Sequence, residues 1–250
     1  MPEEVIRVDD LTFCYNGTAV IRDIFLTVKR GDYLGIAGSN GSGKSTLIKN
    51  ILNILRPSKG TIHLFGQPLS AFNQWHKIGY LPQRINALNY HFPGTVNEII
   101  QLGKPQNNPA DVKNVLGLMG IVHLSEKLIS ELSYGEQQRV MLASTLIKKP
   151  ELLIFDEPTT ALDPETRDTF YSLTGEMNLQ GTTVVLITHD TGIIGKYARH
   201  LLYLEKKVIF SGTFKDFCVS PDMTGFFGLD SQHMICHQHD KEGNKHHGIE

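Results

Sequence analysis

Gly38-Ser39-Asn40-Gly41-Ser42-Gly43-Lys44-Ser45 is the stretch that decides the fold of this 250-residue chain. It matches the pattern G-x-x-x-x-G-K-[ST] at every fixed position, and it lies between an apolar run (33–37) and a segment with helical spacing (47–55). Glycines in such a loop let backbone N–H groups surround phosphate oxygens, and the following helix N-terminus favours negative charge. The pattern predicts a nucleotide phosphate site in which Lys44 reaches the phosphates and the Ser45 hydroxyl ligates Mg²⁺.

A second apolar run, residues 152–155, ends in two carboxylates, Asp156 and Glu157. Ligands of α/β sheets bind at the carboxyl ends of strands. We therefore expect Asp156 to hold Mg²⁺ and Glu157 to be the general base that activates the attacking water. The alternative is that both carboxylates cap the next helix, although Pro158 argues against a helix start directly after them.

The bulk composition excludes some classes of function. The net charge of −2 gives no electrostatic preference for nucleic acid. Uninterrupted apolar runs such as 184–187 are far shorter than the about 20 residues of a membrane span, so we expect none. Three scattered cysteines, Cys14, Cys218 and Cys236, do not suggest a disulfide framework and favour a reducing compartment.

Strand-like and helix-like segments alternate along the chain. Residues 5–8 and 11–15 alternate at period two, with a turn signal at Asn16-Gly17. From 84 to 132 the pattern is helical, including segments 110–119 and 122–129, and capping boxes begin at Thr95 and Ser133. This order predicts a mostly parallel sheet with helices on both faces and a helical insert.

Leu132-Ser133-Tyr134-Gly135-Glu136-Gln137-Gln138-Arg139 resembles the LSGGQ signature of the ABC ATPase family. It departs from that motif by Tyr134 and Glu136, and Ser133-x-x-Glu136 by itself would be an ordinary capping box. The other family motifs follow in order: Gln83 resembles the Q-loop glutamine, Asp163 the D-loop aspartate and His189 the switch histidine. Tyr15 resembles the aromatic residue that stacks on adenine, with core packing as its alternative role.

The resemblance covers about residues 4–215. It implies a P-loop NTPase core with a mostly parallel sheet, an antiparallel β subdomain and a helical subdomain at about 84–145, within an ATPase domain of residues 1–228. It implies catalytic roles for Glu157, His189 and Gln83, and Mg²⁺ ligation by Ser45, Gln83 and Asp156. The nucleotide contacts that it implies are Tyr15, Gly38, Ser39, Asn40, Gly41, Ser42, Gly43, Lys44, Ser45, Thr46, Ser133, Gly135, Glu136 and Asp163.

The resemblance also implies partners. Two copies would pack head to tail, with each ATP between Lys44 of one copy and Ser133 of the other. They would bind integral membrane permease subunits at the cytoplasmic face of the membrane, and these would receive solute from an extracytoplasmic metal-binding protein. The chain has one phosphate loop and no sustained heptads, unlike the soluble members of the family, which carry two ATPase units or a long coiled coil.

Two features indicate a metal as the transported solute. The segment Phe92-Pro93-Gly94-Thr95-Val96 resembles that of zinc and manganese uptake ATPases. The tail, residues 229–250, carries borderline-soft ligands that suit Zn²⁺: His233, Cys236, His237, His239, His246 and His247. The alternative is a solvated tail with incidental histidines. Zinc import is the leading hypothesis; manganese, iron or other small-solute import, or a regulatory ABC ATPase that moves no solute, remain open.

Overall fold

A computed structural model describes residues 3–83, 93–102, 108–188, 191–228 and 232 of the chain. The strands are β1 (Glu4–Tyr15), β2 (Thr18–Lys29), β3 (Tyr33–Ala37), β4 (Lys59–Leu64), β5 (Gln67–Pro68), β6 (Ile78–Leu81), β7 (Leu152–Asp156), β8 (Thr183–Ile187), β9 (His200–Glu205) and β10 (Lys207–Thr213). The helices are α1 (Lys44–Ile51), α2 (Val96–Leu102), α3 (Pro109–Leu118), α4 (Tyr134–Leu146), α5 (Pro164–Leu179), α6 (Thr191–Tyr197), α7 (Phe214–Val219) and α8 (Pro221–Phe227).

The chain divides into two compact units. The first unit consists of Met1–Phe72 and Val185–Glu250, and the second consists of Asn73–Val184. In each unit, parallel strand pairs accompany helices, which confirms the predicted α/β class. The boundary between an ATPase domain and a tail at residue 229 stays a prediction, because residues 229–231 and 233–250 lie outside the described part of the chain.

An antiparallel sheet in the first unit has the strand order β2-β1-β4-β5, which confirms the antiparallel β subdomain. The turn between β1 and β2 is the one that the sequence predicts, with positive φ at Asn16 and Gly17. The two short strands predicted at 5–8 and 11–15 form the single strand β1. Its register shifts between Val8 and Leu11, so one bulged strand produces both alternating runs.

β3 is buried along its whole length and pairs in parallel with β9, which pairs antiparallel with β10. The register joins Ala37, the last residue of β3, to Tyr203 near the end of β9. The end of β9 therefore lies beside the start of the phosphate loop, residues 38–45. The helix after the loop, α1, ends at Ile51, earlier than its predicted end at 55, and Asn53 then adopts a left-handed φ of 57°.

The last described residues of the first unit are tied to α7 and α8. The Gln232 side chain is 4% exposed, and its Nε2 donates to the carbonyls of Phe217 (2.8 Å) and Ser220 (3.2 Å). Cys14 is a free cysteine, whereas Cys218 in α7 is disulfide-bonded, which the scattered cysteine positions did not predict. The Gln232 side chain, directly before the His-rich part of the tail, is thus held by the carbonyls of Phe217 and Ser220.

The second unit contains the parallel pair β6–β7 together with α2, α3, α4 and α5. The capping box at Thr95 is present, since Thr95 N–H donates to Glu98 at 2.8 Å. The prediction of a helix over 122–129 is wrong. The structure has two 3₁₀ turns there, Val122–Leu124 and Ile129–Glu131. Leu128 instead forms an isolated bridge with Thr95, which draws the chain out of helical geometry. Within the described residues, we find no helix with the length and apolarity that a membrane crossing requires.

Candidate active site

The phosphate loop has a backbone shape that requires glycine at two of its positions. Gly38 has a φ of 149°, and a Cβ there would lie 2.1 Å from the carbonyl oxygen of Leu204. Gly43 has a φ of 102°, and a Cβ there would lie 2.2 Å from Cγ2 of Ile21. Any side chain at either position would displace the loop from the strands beside it.

The loop also supplies positive charge and donor groups. Lys44 is 6% exposed, and its Nζ donates to the carbonyls of Gly38 (2.9 Å) and Ser39 (2.8 Å). Within the part of the chain that the structure describes, no side chain caps the N-terminus of α1, and the first turn of this helix has no acidic residue. Among the described residues, no group hydrogen-bonds the buried Oγ of Ser42. A buried cation, an uncapped helix start and an orphaned hydroxyl together fit a polyphosphate.

In the second unit, Glu157 follows β7 directly and adopts a left-handed φ of 52°. Such a conformation costs about 1–3 kcal/mol for a non-glycine residue, and residues held in it cluster at active sites and ligand clamps as well as in turns. Gln83 follows β6, and its Nε2 donates to Oε2 of Glu157 at 2.7 Å. The Tyr134 hydroxyl donates to the Gln83 carbonyl at 3.4 Å. The structure therefore brings the predicted base and the predicted Q-loop glutamine together.

Asp156 is the last residue of β7 and is 2% exposed. The interpretation of Asp156 and Glu157 as helix caps is excluded, because the next helix, α5, begins at Pro164 with Asp163 as its N-cap. The side-chain oxygens predicted to ligate Mg²⁺, on Ser45, Gln83 and Asp156, are the hard donors that this ion prefers. The chemistry of this donor set fits Mg²⁺.

The signature segment forms the start of α4. Ser133 is the N-cap, and Glu136 accepts both its N–H (2.8 Å) and its hydroxyl (2.7 Å). The Ser133 hydroxyl, followed by the Ser133 N–H, lowers the pKa of the Glu136 carboxyl. Glu136 is therefore ionised at neutral pH and held by Ser133, while the first backbone N–H groups of the helix have no intrahelical acceptor. This is the kind of surface at which a phosphate binds.

Two residues of the signature stretch to which sequence analysis gave no role of their own join α4 to the segment before α5. Nε2 of Gln138 donates to the carbonyl of Pro158, and Arg139 pairs with Asp163. A Cβ on Gly135 would lie 3.0 Å from the carbonyl oxygen of Ala161, so the two segments are in close contact. Gln138 is only 2% exposed, and a glutamine on the buried face of a helix is the signal that could have identified it.

Asp163 has a structural role as the N-cap of α5. It accepts the N–H of Thr166 at 2.9 Å, and Pro164 is the first residue of the helix. The Thr166 N–H, followed by the Thr166 hydroxyl, lowers the pKa of the Asp163 carboxyl. An ionised Asp163 can both cap α5 and pair with Arg139.

The remaining predicted residues are distributed as follows. Tyr15 is the last residue of β1 and is 63% exposed, which suits a stacking surface and not core packing. Ser39, Asn40 and Gly41 are exposed, and Ser45 and Thr46 are half-buried in the first turn of α1. His189 lies outside the described residues, as do His233, Cys236, His237, His239, His246 and His247. In the part of the chain that the structure describes, no group of three or more His, Cys, Asp or Glu could hold a metal ion.

The phosphate loop, with its required glycines and buried lysine, is followed along the chain by a strand that ends in two carboxylates. These features define a nucleoside triphosphate hydrolase of the phosphate-loop class. The chain belongs to the ABC transporter family, whose family model matches residues 21–160. It is 37% identical to the zinc uptake system ATP-binding protein ZurA of Listeria monocytogenes, over 84% of this chain and 86% of the relative. It is 33% identical to the manganese transport system ATP-binding protein MntB of Bacillus subtilis, over 83% and 86%.

A solved ATP-binding subunit of an ABC transporter has the same fold, with a TM-score of 0.80 and 25% identity over 94% of this chain and 99% of that one. The chain is therefore an ATP hydrolase that uses ATP with Mg²⁺. The expected fold and enzyme class are confirmed. The roles of individual site residues stay predictions.

Proposed function

We propose that this chain is the ATP-hydrolysing subunit of a membrane importer of divalent transition metal, with zinc as the solute. One observation carries the proposal: a chain with the phosphate loop and carboxylates of an ATP hydrolase is 37% identical, over 84% of its length, to a zinc-uptake ATP-binding protein. Such subunits work as dimers with membrane permease subunits. We further propose that the chain binds these subunits at the cytoplasmic face of the membrane. An extracytoplasmic metal-binding protein would deliver the ion to them.

The phosphate loop, Tyr15 and the Mg²⁺ ligands would bind the nucleotide. Lys44 would move from the loop carbonyls toward the β- and γ-phosphates, and backbone N–H groups of residues 40–46 would surround them. Tyr15 would stack on the adenine ring with its exposed face. Ser45, Gln83 and Asp156 would hold Mg²⁺, which neutralises phosphate charge.

The chemistry would fall to Glu157. Its carboxylate would accept a proton from the attacking water. Gln83, whose side chain is already hydrogen-bonded to this carboxylate, would orient the carboxylate. His189 would contact the γ-phosphate. Ser133 and Gly135 of a second copy would bind the same phosphate at the N-terminus of α4, so ATP would stabilise the closed dimer. Loss of the γ-phosphate would remove these contacts and let the dimer open, which is the step that drives transport.

The first test is uptake of labelled zinc and manganese by cells that carry the chain with its own permease. We expect Glu157→Gln to lower zinc uptake at least about tenfold, because transport requires turnover of ATP, and to leave manganese uptake unchanged. Glu176→Gln is the matched control, since it removes the same charge at an exposed position of α5.

Manganese is the second candidate solute, supported by the 33% identity to MntB. If Glu157→Gln cells lose manganese uptake alone, manganese replaces zinc as the proposed solute. If neither metal is affected, the metal-import proposal is wrong, and a different solute or a regulatory ATPase replaces it.

For the tail we propose a regulatory zinc site formed by His233, His237, His239, His246 and His247. Because Cys14 is free and Cys218 is disulfide-bonded, Cys236 is the one remaining cysteine of the sequence, and it would join the site as a ligand only when the disulfide is reduced. What supports the proposal is composition: the five histidines lie within 15 residues of one another. Removal of residues 233–250 is expected to abolish inhibition of the ATPase by excess zinc and to change basal activity by less than about twofold. The truncation begins after Gln232 because that side chain is buried and bonded to the carbonyls of Phe217 and Ser220.

Two full-length variants control for loss of the tail itself. Replacement of the five histidines by alanine, which leaves Cys236 in place, should reproduce the loss of zinc inhibition, whereas alanine at the non-ligating Gln238, Lys241 and Asn244 should keep zinc inhibition. Equal zinc inhibition in wild type and in the five-histidine variant would show that the histidines are incidental.

A further inference from the structure

The turn between β9 and β10 contacts the phosphate loop through three consecutive residues. The Glu205 carboxylate accepts both the N–H and the hydroxyl of Ser39, each at 2.7 Å. The backbone N–H of Lys206 donates to the carbonyl of Ser42 at 2.8 Å. The carbonyl of Leu204 lies so close to Gly38 that a Cβ there would be 2.1 Å away.

The turn is itself fixed to the rest of the first unit. β9 pairs with β3 as far as Tyr203, and the carbonyl of Lys206 accepts the N–H of Arg22 in β2 at 2.8 Å. Lys206 adopts a left-handed φ of 59°, which makes the turn tight. Strands on two sides therefore hold the turn in place, and the turn holds the loop.

We infer that Glu205 is a positioning residue for ATP binding, which acts by fixing Ser39 and with it the first half of the phosphate loop. Gly38, Gly41 and Gly43 give the loop many backbone conformations, and ordering such a segment around a ligand costs conformational entropy. Of the contacts that the structure describes between the turn and the phosphate loop, the two bonds of Glu205 are the ones made by a side chain of the turn, so they can be removed without altering the main chain. The loop is thereby ordered before the nucleotide arrives, which strengthens binding.

The negative charge of Glu205 would by itself weaken the binding of a polyphosphate, since like charges repel. Two features limit this repulsion. The carboxylate is partly exposed, so solvent and salt screen its charge, and both of its oxygens accept bonds from Ser39. Ordering of the loop is therefore the larger effect, and removal of Glu205 weakens ATP binding.

The test compares Glu205→Ala, Glu205→Gln and Ser39→Ala with wild type in the purified full-length chain. The readouts are KM and kcat for ATP hydrolysis, the Kd of MgATP by calorimetry, and the Tm. Glu205→Ala is expected to raise KM and Kd about tenfold, since hydrogen bonds to a charged group are lost, while kcat falls less than about twofold. Glu205→Gln keeps one acceptor oxygen and should recover part of this loss.

A double-mutant cycle then tests whether Glu205 acts through Ser39. Glu205→Ala in the Ser39→Ala background should have a smaller effect on KM than in wild type, because one of the two bonds is already absent. The inference is overturned if Glu205→Ala binds ATP as tightly as wild type or more tightly, or if the two substitutions are additive. It is also overturned if Tm falls while KM is unchanged, since that pattern describes a purely structural contact.

Discussion

Glu157→Gln is expected to lower kcat for ATP hydrolysis at least about a hundredfold, because general-base catalysis typically contributes 10²- to 10⁴-fold. ATP binding should be retained. Glutamine has the size of glutamate and still offers an oxygen to Nε2 of Gln83, which bonds Glu157 at 2.7 Å. The variant should therefore keep the local structure and lose only the proton acceptor. Bound, unhydrolysed ATP would then stabilise the closed dimer, which sedimentation in the presence of MgATP would detect.

Glu176→Gln is the control for this prediction as well, because it removes one carboxylate from an exposed position of the same unit. It should hydrolyse ATP at the wild-type rate and give no additional dimer. A Glu157→Gln enzyme that turns over within about tenfold of wild type would contradict the assignment of Glu157 as the general base. The left-handed backbone at Glu157 would then need an explanation other than catalysis.

The parts of this site that sequence predicts are those encoded locally. The phosphate loop, the strand that ends in Asp156 and the cap at Ser133 each occupy fewer than ten consecutive residues, and the structure has the corresponding elements. The capping box at Ser133 could be identified because a side chain three residues away completes it. Where a local pattern was ambiguous, prediction failed: the apolar positions within 122–129 suit a helix, but a bridge between Thr95 and Leu128 determines the conformation.

Contacts between distant residues could not be predicted from spacing. Ser39 and Glu205 are 166 positions apart, and neither lies in a pattern that identifies the other. Their contact depends on the parallel register of β3 and β9, which brings Ala37 beside Tyr203. The same limit applies to Gln83 and Glu157, which are 74 positions apart. In that case a family resemblance named both residues, but only the structure joins them by a hydrogen bond.

Lys44→Met is expected to weaken MgATP binding by about 10²- to 10³-fold. Each hydrogen bond between a charged donor and an acceptor contributes about 1.5–3 kcal/mol, and Lys44 is predicted to bond two phosphate groups. Methionine has a similar length and fills the same 6%-exposed space, but it carries no charge and no donor. Calorimetry would measure the change in Kd, and the rise in Tm that MgATP causes in wild type should disappear at the same nucleotide concentration.

The fold should survive this substitution, because the carbonyls that Lys44 bonds, on Gly38 and Ser39, lie on partly or fully exposed residues and can be hydrated. Tm without nucleotide would therefore fall by only a few degrees, about what a loss near 1 kcal/mol produces in a chain of this size. Lys49→Met is the matched control, since it removes the same charge from an exposed position of the same helix. If Lys44→Met and Lys49→Met bind ATP equally well, Lys44 is not a phosphate ligand, and its burial in the loop serves only to order the carbonyls around it.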